Sequence, residues 1–126
     1  MALTVEYTFT MLYKFTRSFS YAFIGLGLVW RKGLNFKFQL LCALVVLPLG
    51  WFFNVSNMEF VILLLVITLV LATETFNTAL EELCDKFQPS HDPHIARIKD
   101  LSAAAVLVTS LGAAIIGAII FIPHLW

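Results

Sequence analysis

Three long apolar segments, joined by short polar connections, are the feature that most constrains the fold of this chain. Their approximate limits are residues 34–53, 58–87 and 93–122. As an α-helix rising about 1.5 Å per residue, each is long enough to cross about 30 Å of hydrocarbon. With 60% hydrophobic and 13% charged residues, a soluble domain would lack a water-compatible surface. The sequence therefore predicts an all-α membrane protein, a single membrane domain over residues 1–126 with three transmembrane helices.

The N-terminal segment, residues 4–23, has a different pattern. Its apolar residues recur at spacings of three, four or seven, with two basic residues among them: Val5, Phe9, Leu12, Phe19 and Phe23, then Lys14 and Arg17. This pattern is typical of an amphipathic helix that lies in the membrane interface with its aromatic side towards the lipid. A packed helix of the soluble type is the alternative. We expect Gly25 and Gly27 to loosen the chain after this helix.

Capping signals mark where the second and third spanning helices begin. Ser56 is followed three residues later by Glu59, which predicts a capping box. Asp92 precedes Pro93, a pairing typical of the N-cap and first turn of a helix. The loops between the spanning helices are therefore expected to be short.

The basic residues indicate the orientation of the chain in the membrane. All 8 lysines and arginines lie either before or in the first turn of the first span, up to Lys37, or between the last turn of the second span and the early turns of the third, from Lys86 to Lys99. The positive-inside rule then predicts a cytoplasmic N-terminus, three crossings and an exterior C-terminus. The formal net charge is +0, so there is no signature of nucleic-acid binding.

A polar stripe continues the apolar run of residues 60–71. Glu74, Asn77, Glu81 and Asp85 stand at positions i, i+3, i+7 and i+11, which places them within about 80° of one another on a helix. A carboxylate without a partner is costly so close to an apolar run. The stripe is therefore interpreted as a functional site on the cytoplasmic side of the membrane.

The residue types in and near this stripe suit a phosphate and a divalent cation. Mg²⁺ prefers carboxylate oxygens together with waters and substrate phosphates. A carboxylate can also orient a lipid hydroxyl and accept its proton, while Lys99 neutralises phosphoryl oxygens. A polar network that locks the helices of an oligomer together is the alternative, and the chemistry alone favours neither. The sequence contains no Walker loop, GxGxxG or kinase catalytic loop, so a nucleotide site would not be of a common soluble type.

Two motifs resemble a known family. The pattern E-x-x-N-[ST]-A-[ILV]-E-x-x-x-D occurs at residues 74–85, and K-D-x-x-[AS]-A-A-V-L begins at Lys99. With SYAFIGL at residues 20–26, they are similar to the small prokaryotic diacylglycerol kinase and undecaprenol kinase family. The resemblance covers about residues 17–122, and the N-T-A-L-E form is closer to the undecaprenol type.

The resemblance implies an assembly and a reaction. It implies an interfacial N-terminal helix, three membrane helices and a homotrimer with sites between neighbouring protomers, at the cytoplasmic face of the bacterial inner membrane. ATP with Mg²⁺ would be the phosphoryl donor, and a membrane alcohol, undecaprenol or diacylglycerol, the acceptor.

The resemblance also implies a role for each matching residue. Glu74 would be the base that faces the lipid hydroxyl, Asn77 would position the reacting groups, and Glu81 would bind the metal. Lys99 would contact phosphates. The remaining positions would support the two substrates: Asp85 and Asp100 at the nucleotide, and Arg17 at the lipid.

One position departs from the family pattern. Aligned on Gly25 and on residues 36–37, Gly33 stands where the family normally carries a glutamate that helps to hold metal. Four accounts remain open: a one-metal site, a ligand from elsewhere, an altered reaction, or an engineered or inactive variant. Lipid phosphate hydrolysis is therefore an alternative function. A non-enzymatic trimeric membrane protein is a second alternative.

Overall fold

Across residues 2–126, the computed structural model contains four long α-helices and a short C-terminal 3₁₀ helix, and no strand. The elements are α1 (Ala2–Lys32), α2 (Leu34–Phe52), α3 (Asn57–Phe87), α4 (Pro93–Phe121) and the 3₁₀ helix Ile122–Leu125. Side chains are described for residues 7, 8 and 10–126. The all-α prediction is confirmed.

Three of the described helices are long and apolar enough to cross a membrane: α2, α3 and, with the 3₁₀ helix, α4. Their limits agree with the predicted spans to within one residue. α3 packs against both α2 and α4. The polar stripe of α3 therefore lies on the central helix of this three-helix unit.

Many large apolar side chains of the three-helix unit are exposed. Leu34 and Trp51 are each 81% exposed, whereas Leu63 on the central helix is only 2% exposed. Where α2 meets α3, a Cβ added to Gly50 would lie 3.4 Å from Leu63 Cδ1. The small core and the apolar exterior are typical of helices whose outer faces are covered by lipid.

Both predicted capping arrangements are confirmed. Glu59 N donates to Ser56 Oγ at 3.2 Å, and Ser56 N donates to Glu59 Oε2 at 2.7 Å. At the start of α4, Asp92 Oδ1 accepts hydrogen bonds from His94 N at 2.7 Å and Ile95 N at 3.1 Å. These side chains bond to backbone N–H groups that have no partner within the helix, and so define where α3 and α4 begin.

α1 is longer than the predicted helix of residues 4–23. It continues through Gly25 and Gly27 to Lys32, since a glycine inside a helix costs only about 1 kcal/mol relative to alanine. The side chains of Val5 and Phe9, which contributed to the amphipathic pattern, lie outside the described residues. The location of α1 in the membrane interface stays a prediction.

The chain divides into two compact units, the first ending at Lys32 and the second comprising Gly33–Trp126. The assignment of residues 1–126 to a single membrane domain stays a prediction.

Candidate active site

A cavity of about 740 Å³ lies among α2, α3 and α4. Three members of the predicted stripe line it, namely Glu74, Asn77 and Glu81, and α2 adds Asn35 and Gln39. Nearly all of the other lining side chains are apolar. The cavity therefore has a polar end where α3 carries its carboxylates, and an apolar remainder.

Glu74 is the most deeply buried charged residue in the described chain, at 2% exposure. Gln39 Nε2, on α2, donates a hydrogen bond to Glu74 Oε2 at 3.2 Å. A carboxylate in apolar surroundings is costly unless a donor compensates it, and Gln39 supplies that donor. Gln39 Oε1 is buried and has no hydrogen-bond partner.

Asn77 is held by α4. Ser102 Oγ donates to Asn77 Oδ1, which leaves the amide nitrogen of Asn77 to donate to Glu81 Oε1 at 3.3 Å. Because the oxygen of the amide is occupied on one side, its nitrogen is directed to the other. Ser102 of α4 thus determines that the amide nitrogen of Asn77 points to Glu81.

Lys99 and Asp85 form an ion pair between α4 and α3. Lys99 Nζ lies 2.9 Å from Asp85 Oδ1, and the two side chains are 36% and 65% exposed. Exposed pairs of this kind contribute little to stability, about 0–1 kcal/mol. Asp100, the next residue on α4, is also exposed. It points about 100° away from Lys99 around the helix axis. The three charged side chains lie outside the cavity lining.

Arg17 and Gly33 are the remaining positions of interest. On α1, the guanidinium of Arg17 lies 5.5 Å from the centre of the Tyr13 ring and 5.4 Å from that of Tyr21, and it donates a hydrogen bond to the Tyr21 hydroxyl. Gly33 is the N-cap of α2, with φ −89° and ψ 100° and no side-chain capping bond. This extended conformation is open to any residue.

The described residues contain no group of three or more His, Cys, Asp or Glu side chains that could hold a metal ion. Magnesium does not require such a group, because it is often bound by one or two carboxylates together with substrate phosphates and waters. Glu81, which lines the cavity next to Asn77, fits the role of one such carboxylate.

Sequence reasoning missed Gln39 and Ser102 as members of the site. Gln39 is an uncharged polar side chain inside a spanning segment, and such side chains usually face a protein interior or a cavity. That signal was available in the sequence. Ser102 lies inside the second motif, but its contact with Asn77 depends on how α4 packs on α3.

The fold and the site define a class, namely all-α proteins with three helices able to span a membrane and a buried carboxylate at one end of an apolar cavity. The model of the family described as prokaryotic diacylglycerol kinase matches residues 20–121, and the chain belongs to this family. The resemblance seen in the two motifs is therefore confirmed.

Individual relatives support the same assignment. The chain is 35% identical over 112 residues to the undecaprenol kinase of Bacillus subtilis (strain 168), which covers 89% of this chain and 91% of that protein. It is 26% identical to the diacylglycerol kinase of Haemophilus influenzae over 102 residues, or 81% of this chain and 86% of the relative. The diacylglycerol kinase of Escherichia coli (strain K12) is 26% identical over 104 residues, or 82% and 85%.

Proposed function

We propose that this protein is an integral-membrane lipid kinase that transfers the γ-phosphate of ATP to a lipid hydroxyl. The observation that carries the proposal is the position of Glu74, buried at the polar end of an apolar cavity. A lipid alcohol can keep its hydrocarbon chain in such a cavity while its hydroxyl reaches a carboxylate. Membership of the prokaryotic diacylglycerol kinase family supports the reaction type.

In the proposed reaction Glu74 is the general base. The lipid hydroxyl donates a hydrogen bond to its carboxylate, and the proton passes to Glu74 as the hydroxyl oxygen attacks the γ-phosphorus of ATP. A bond forms between the lipid oxygen and phosphorus, the bond from phosphorus to the bridging oxygen breaks, and ADP leaves with that electron pair. Gln39 holds the carboxylate in place through its amide N–H.

The other polar residues would bind and orient the nucleotide. Because the Lys99–Asp85 ion pair is weak and partly exposed, a phosphate oxygen can replace Asp85 as the partner of Lys99 at little cost. Asn77 would position the reacting groups, with Ser102 fixing the direction of its amide. Two residues would support the nucleotide site: Asp85 and Asp100.

Glu81 would hold Mg²⁺ together with phosphate oxygens of ATP. The ion would neutralise negative charge on those oxygens when bound. The hydrogen bond from Asn77 to Glu81 Oε1 would orient the carboxylate for this role.

We also propose that the protein is a homotrimer in the bacterial inner membrane, with its N-terminus and active site on the cytoplasmic side. The distribution of basic residues supports the orientation, and Arg17 of an interfacial α1 would meet the lipid headgroup region.

A cysteine at Asn57 should be labelled by a membrane-impermeant thiol reagent from outside the cell, whereas one at Ser90 should not. The reverse pattern would contradict the orientation.

Undecaprenol is the better supported acceptor. The chain is more similar to an undecaprenol kinase, at 35% identity, than to the two diacylglycerol kinases, at 26%. Its N-T-A-L-E sequence at residues 77–81 is also closer to the undecaprenol type.

The test is direct phosphorylation. The purified protein is incubated with γ-labelled ATP, Mg²⁺ and either undecaprenol or diacylglycerol, and the lipid extract is separated by thin-layer chromatography. We expect labelled undecaprenyl phosphate and weaker or absent labelling of diacylglycerol. A parallel incubation with the lipid phosphates and no ATP measures hydrolysis. Release of phosphate there, with no labelled lipid from ATP, would overturn the kinase proposal in favour of the hydrolase alternative.

A further inference from the structure

α2 turns two amide side chains towards the polar stripe of α3. Asn35 and Gln39 are four residues apart, about one helical turn, so they lie on the same face of α2. Both line the cavity, as do Glu74 and Glu81 of α3. Gln39 donates a hydrogen bond to Glu74. The face of α2 that carries Asn35 is therefore the face that meets the stripe.

Two contacts fix the register of α2 against α3. A Cβ added to Gly50 would lie 3.4 Å from Leu63 Cδ1, and Gln39 Nε2 lies 3.2 Å from Glu74 Oε2. Between these contacts the chain steps back eleven residues along α2, from 50 to 39, and forward eleven along α3, from 63 to 74. The two helices are therefore antiparallel and keep one register over this length.

The same register gives the level of Asn35 on α3. Asn35 lies four residues before Gln39, so the matching position on α3 lies four residues after Glu74. That position is Thr78. Glu81 is three residues further on, which is about 4.5 Å along the helix axis and less than one turn. Asn35 therefore stands beside the part of the stripe that ends at Glu81.

The two amides of α2 differ in their partners. Gln39 is bonded to the carboxylate at its own level. Asn35 forms no hydrogen bond with Glu81 in the described part of the chain, and Glu81 Oε1 instead accepts from Asn77 on its own helix. Asn35 is also exposed. Its amide and the second oxygen of Glu81 can therefore both bind a ligand.

A divalent cation suits this pair of groups. The carboxylate of Glu81 would repel a phosphate placed between them, whereas a hard cation takes carboxylate and carbonyl oxygens together. An amide oxygen also adds a ligand without adding charge. A further carboxylate at this place would oppose both the ionised Glu74 nearby and the phosphates of a nucleotide.

We propose that Asn35 is a metal-binding residue, whose side-chain oxygen binds from α2 the cation that Glu81 binds from α3. The inference rests on the proposed lipid kinase function, and it adds a second protein ligand to the metal site of that function. The protein then supplies one charged and one neutral ligand, although Gly33 has no carboxylate to offer.

Two substitutions at Asn35 separate the amide oxygen from the amide nitrogen. Asn35→Asp keeps an oxygen and adds a charge, whereas Asn35→Leu removes the oxygen at similar size. Asn35 is the second residue of α2, where an acidic side chain is favourable and leucine is a good helix former. Asn57, which begins α3 and lies outside the cavity lining, is also exposed. Asn57→Asp and Asn57→Leu are the matched controls.

The probe is the Mn²⁺ complex of β,γ-methylene-ATP, which the protein cannot turn over. Its Kd for the purified full-length protein is measured from the electron paramagnetic resonance signal of Mn²⁺. Asn35→Leu should raise this Kd at least about tenfold, because even groups that only support a metal ligand affect affinity to this extent. Asn35→Asp should lower it at least about threefold, because affinity rises with the charge of the ligands. The two Asn57 variants should match the wild type.

A second titration omits the metal. With EDTA present, the affinity of the nucleotide analogue alone should be the same in the wild type and Asn35→Leu. A loss of affinity in Asn35→Leu that persists in EDTA would overturn the proposal. Weaker binding of the Mn²⁺ complex in both Asn35 variants would also overturn it, since the amide nitrogen would then be the group that binds, as a donor to phosphate.

The remaining outcomes also decide. Gel filtration checks assembly, and if Asn35→Leu does not assemble, unchanged or weaker binding in Asn35→Asp is enough to contradict the proposal. Unchanged binding in both Asn35 variants would overturn it and leave the lipid kinase function standing. The expected series of affinities in a protein that phosphorylates no lipid would count against the proposed function alone.

Discussion

Gln39 on α2 donates a hydrogen bond to Glu74 on α3 at 3.2 Å, although the two residues are 35 positions apart in the sequence. Glu74 is 2% exposed, so this amide replaces the water that an exposed carboxylate would bind. The carboxylate is thus held in a defined direction at the polar end of the cavity. A general base for a lipid hydroxyl requires such an arrangement, because the base must lie within hydrogen-bond distance of the proton that it accepts.

Glu74→Gln should lower kcat for lipid phosphorylation at least about 100-fold, since the substitution keeps the size of the side chain and removes its ability to accept a proton. The thermal stability and assembly of the protein should be retained. Glu82→Gln, a change to an exposed glutamate of α3 outside the cavity lining, is the control. Activity of Glu74→Gln close to wild type would mean that Glu74 has a structural role.

Gln39→Met keeps the length of the side chain but removes the donor to Glu74. A buried carboxylate that loses its partner destabilises the fold by about 1–3 kcal/mol, so the melting temperature should fall, and kcat should fall with it. Gln39→His retains a ring N–H and should recover part of both losses. In a Glu74→Gln background, the same Gln39→Met change should cost clearly less stability. Equal costs in the two backgrounds would show that the two residues are not coupled.

Ser102→Ala should lower kcat about fivefold, the equivalent of one ordinary hydrogen bond of about 1 kcal/mol. Without the Ser102 hydroxyl, the amide of Asn77 loses the contact that directs its nitrogen to Glu81. Ser102→Thr retains the hydroxyl and should recover most of the activity. If Ser102→Ala and Ser102→Thr have the same kcat, the hydroxyl does not position Asn77.

Gly33→Glu should lower the Mg²⁺ concentration needed for half-maximal kinase activity and raise the activity. The backbone of Gly33 has φ −89° and ψ 100°, which glutamate adopts without strain, and a hard cation gains from an added carboxylate oxygen. Gly33→Ala separates the effect of the charge from that of losing glycine at the N-cap. Strong wild-type activity at ordinary Mg²⁺ that Gly33→Glu leaves unchanged would show that the missing carboxylate has no consequence for this chain.

Asp92 should make the stability of the protein depend on pH. The backbone N–H groups of Ile95 and His94 hold the pKa of the Asp92 carboxyl below its ordinary value. The folded state therefore favours the ionised carboxylate of Asp92. The contribution of this carboxylate to stability is complete above the ordinary pKa of aspartate, and it is lost as the pH falls through the lowered pKa of the folded protein.

The measurement for Asp92 is the melting temperature of detergent-solubilised protein over a pH series. Asp92→Ala should melt below the wild type at neutral pH, and the difference should shrink under acidic conditions. Asp92→Asn, which caps helices about as well as aspartate, should not show that pH-dependent loss. A difference between wild type and Asp92→Ala that is constant with pH would contradict the role of the ionised carboxylate.

The sequence by itself determined the spanning helices, their starting points and the polar stripe. These features are local: hydropathy over about 20 residues defines a span, a side chain three residues away defines a cap, and helical periodicity places Glu74, Asn77 and Glu81 on one face. The length of α1 was predicted less well, because Gly25 and Gly27 are tolerated within a long helix at modest cost.

Only the tertiary structure decided which side chains complete the site. Gln39 reaches Glu74 from α2, and Ser102 reaches Asn77 from α4. Both contacts join residues that are far apart in the chain, so they depend on the rotation and depth at which each helix packs against α3. The cavity has the same origin, since it is the space that α2 and α4 leave over the central helix. Hydrophobic periodicity identifies the face that a helix buries, but the packing of particular side chains determines which residues meet across it.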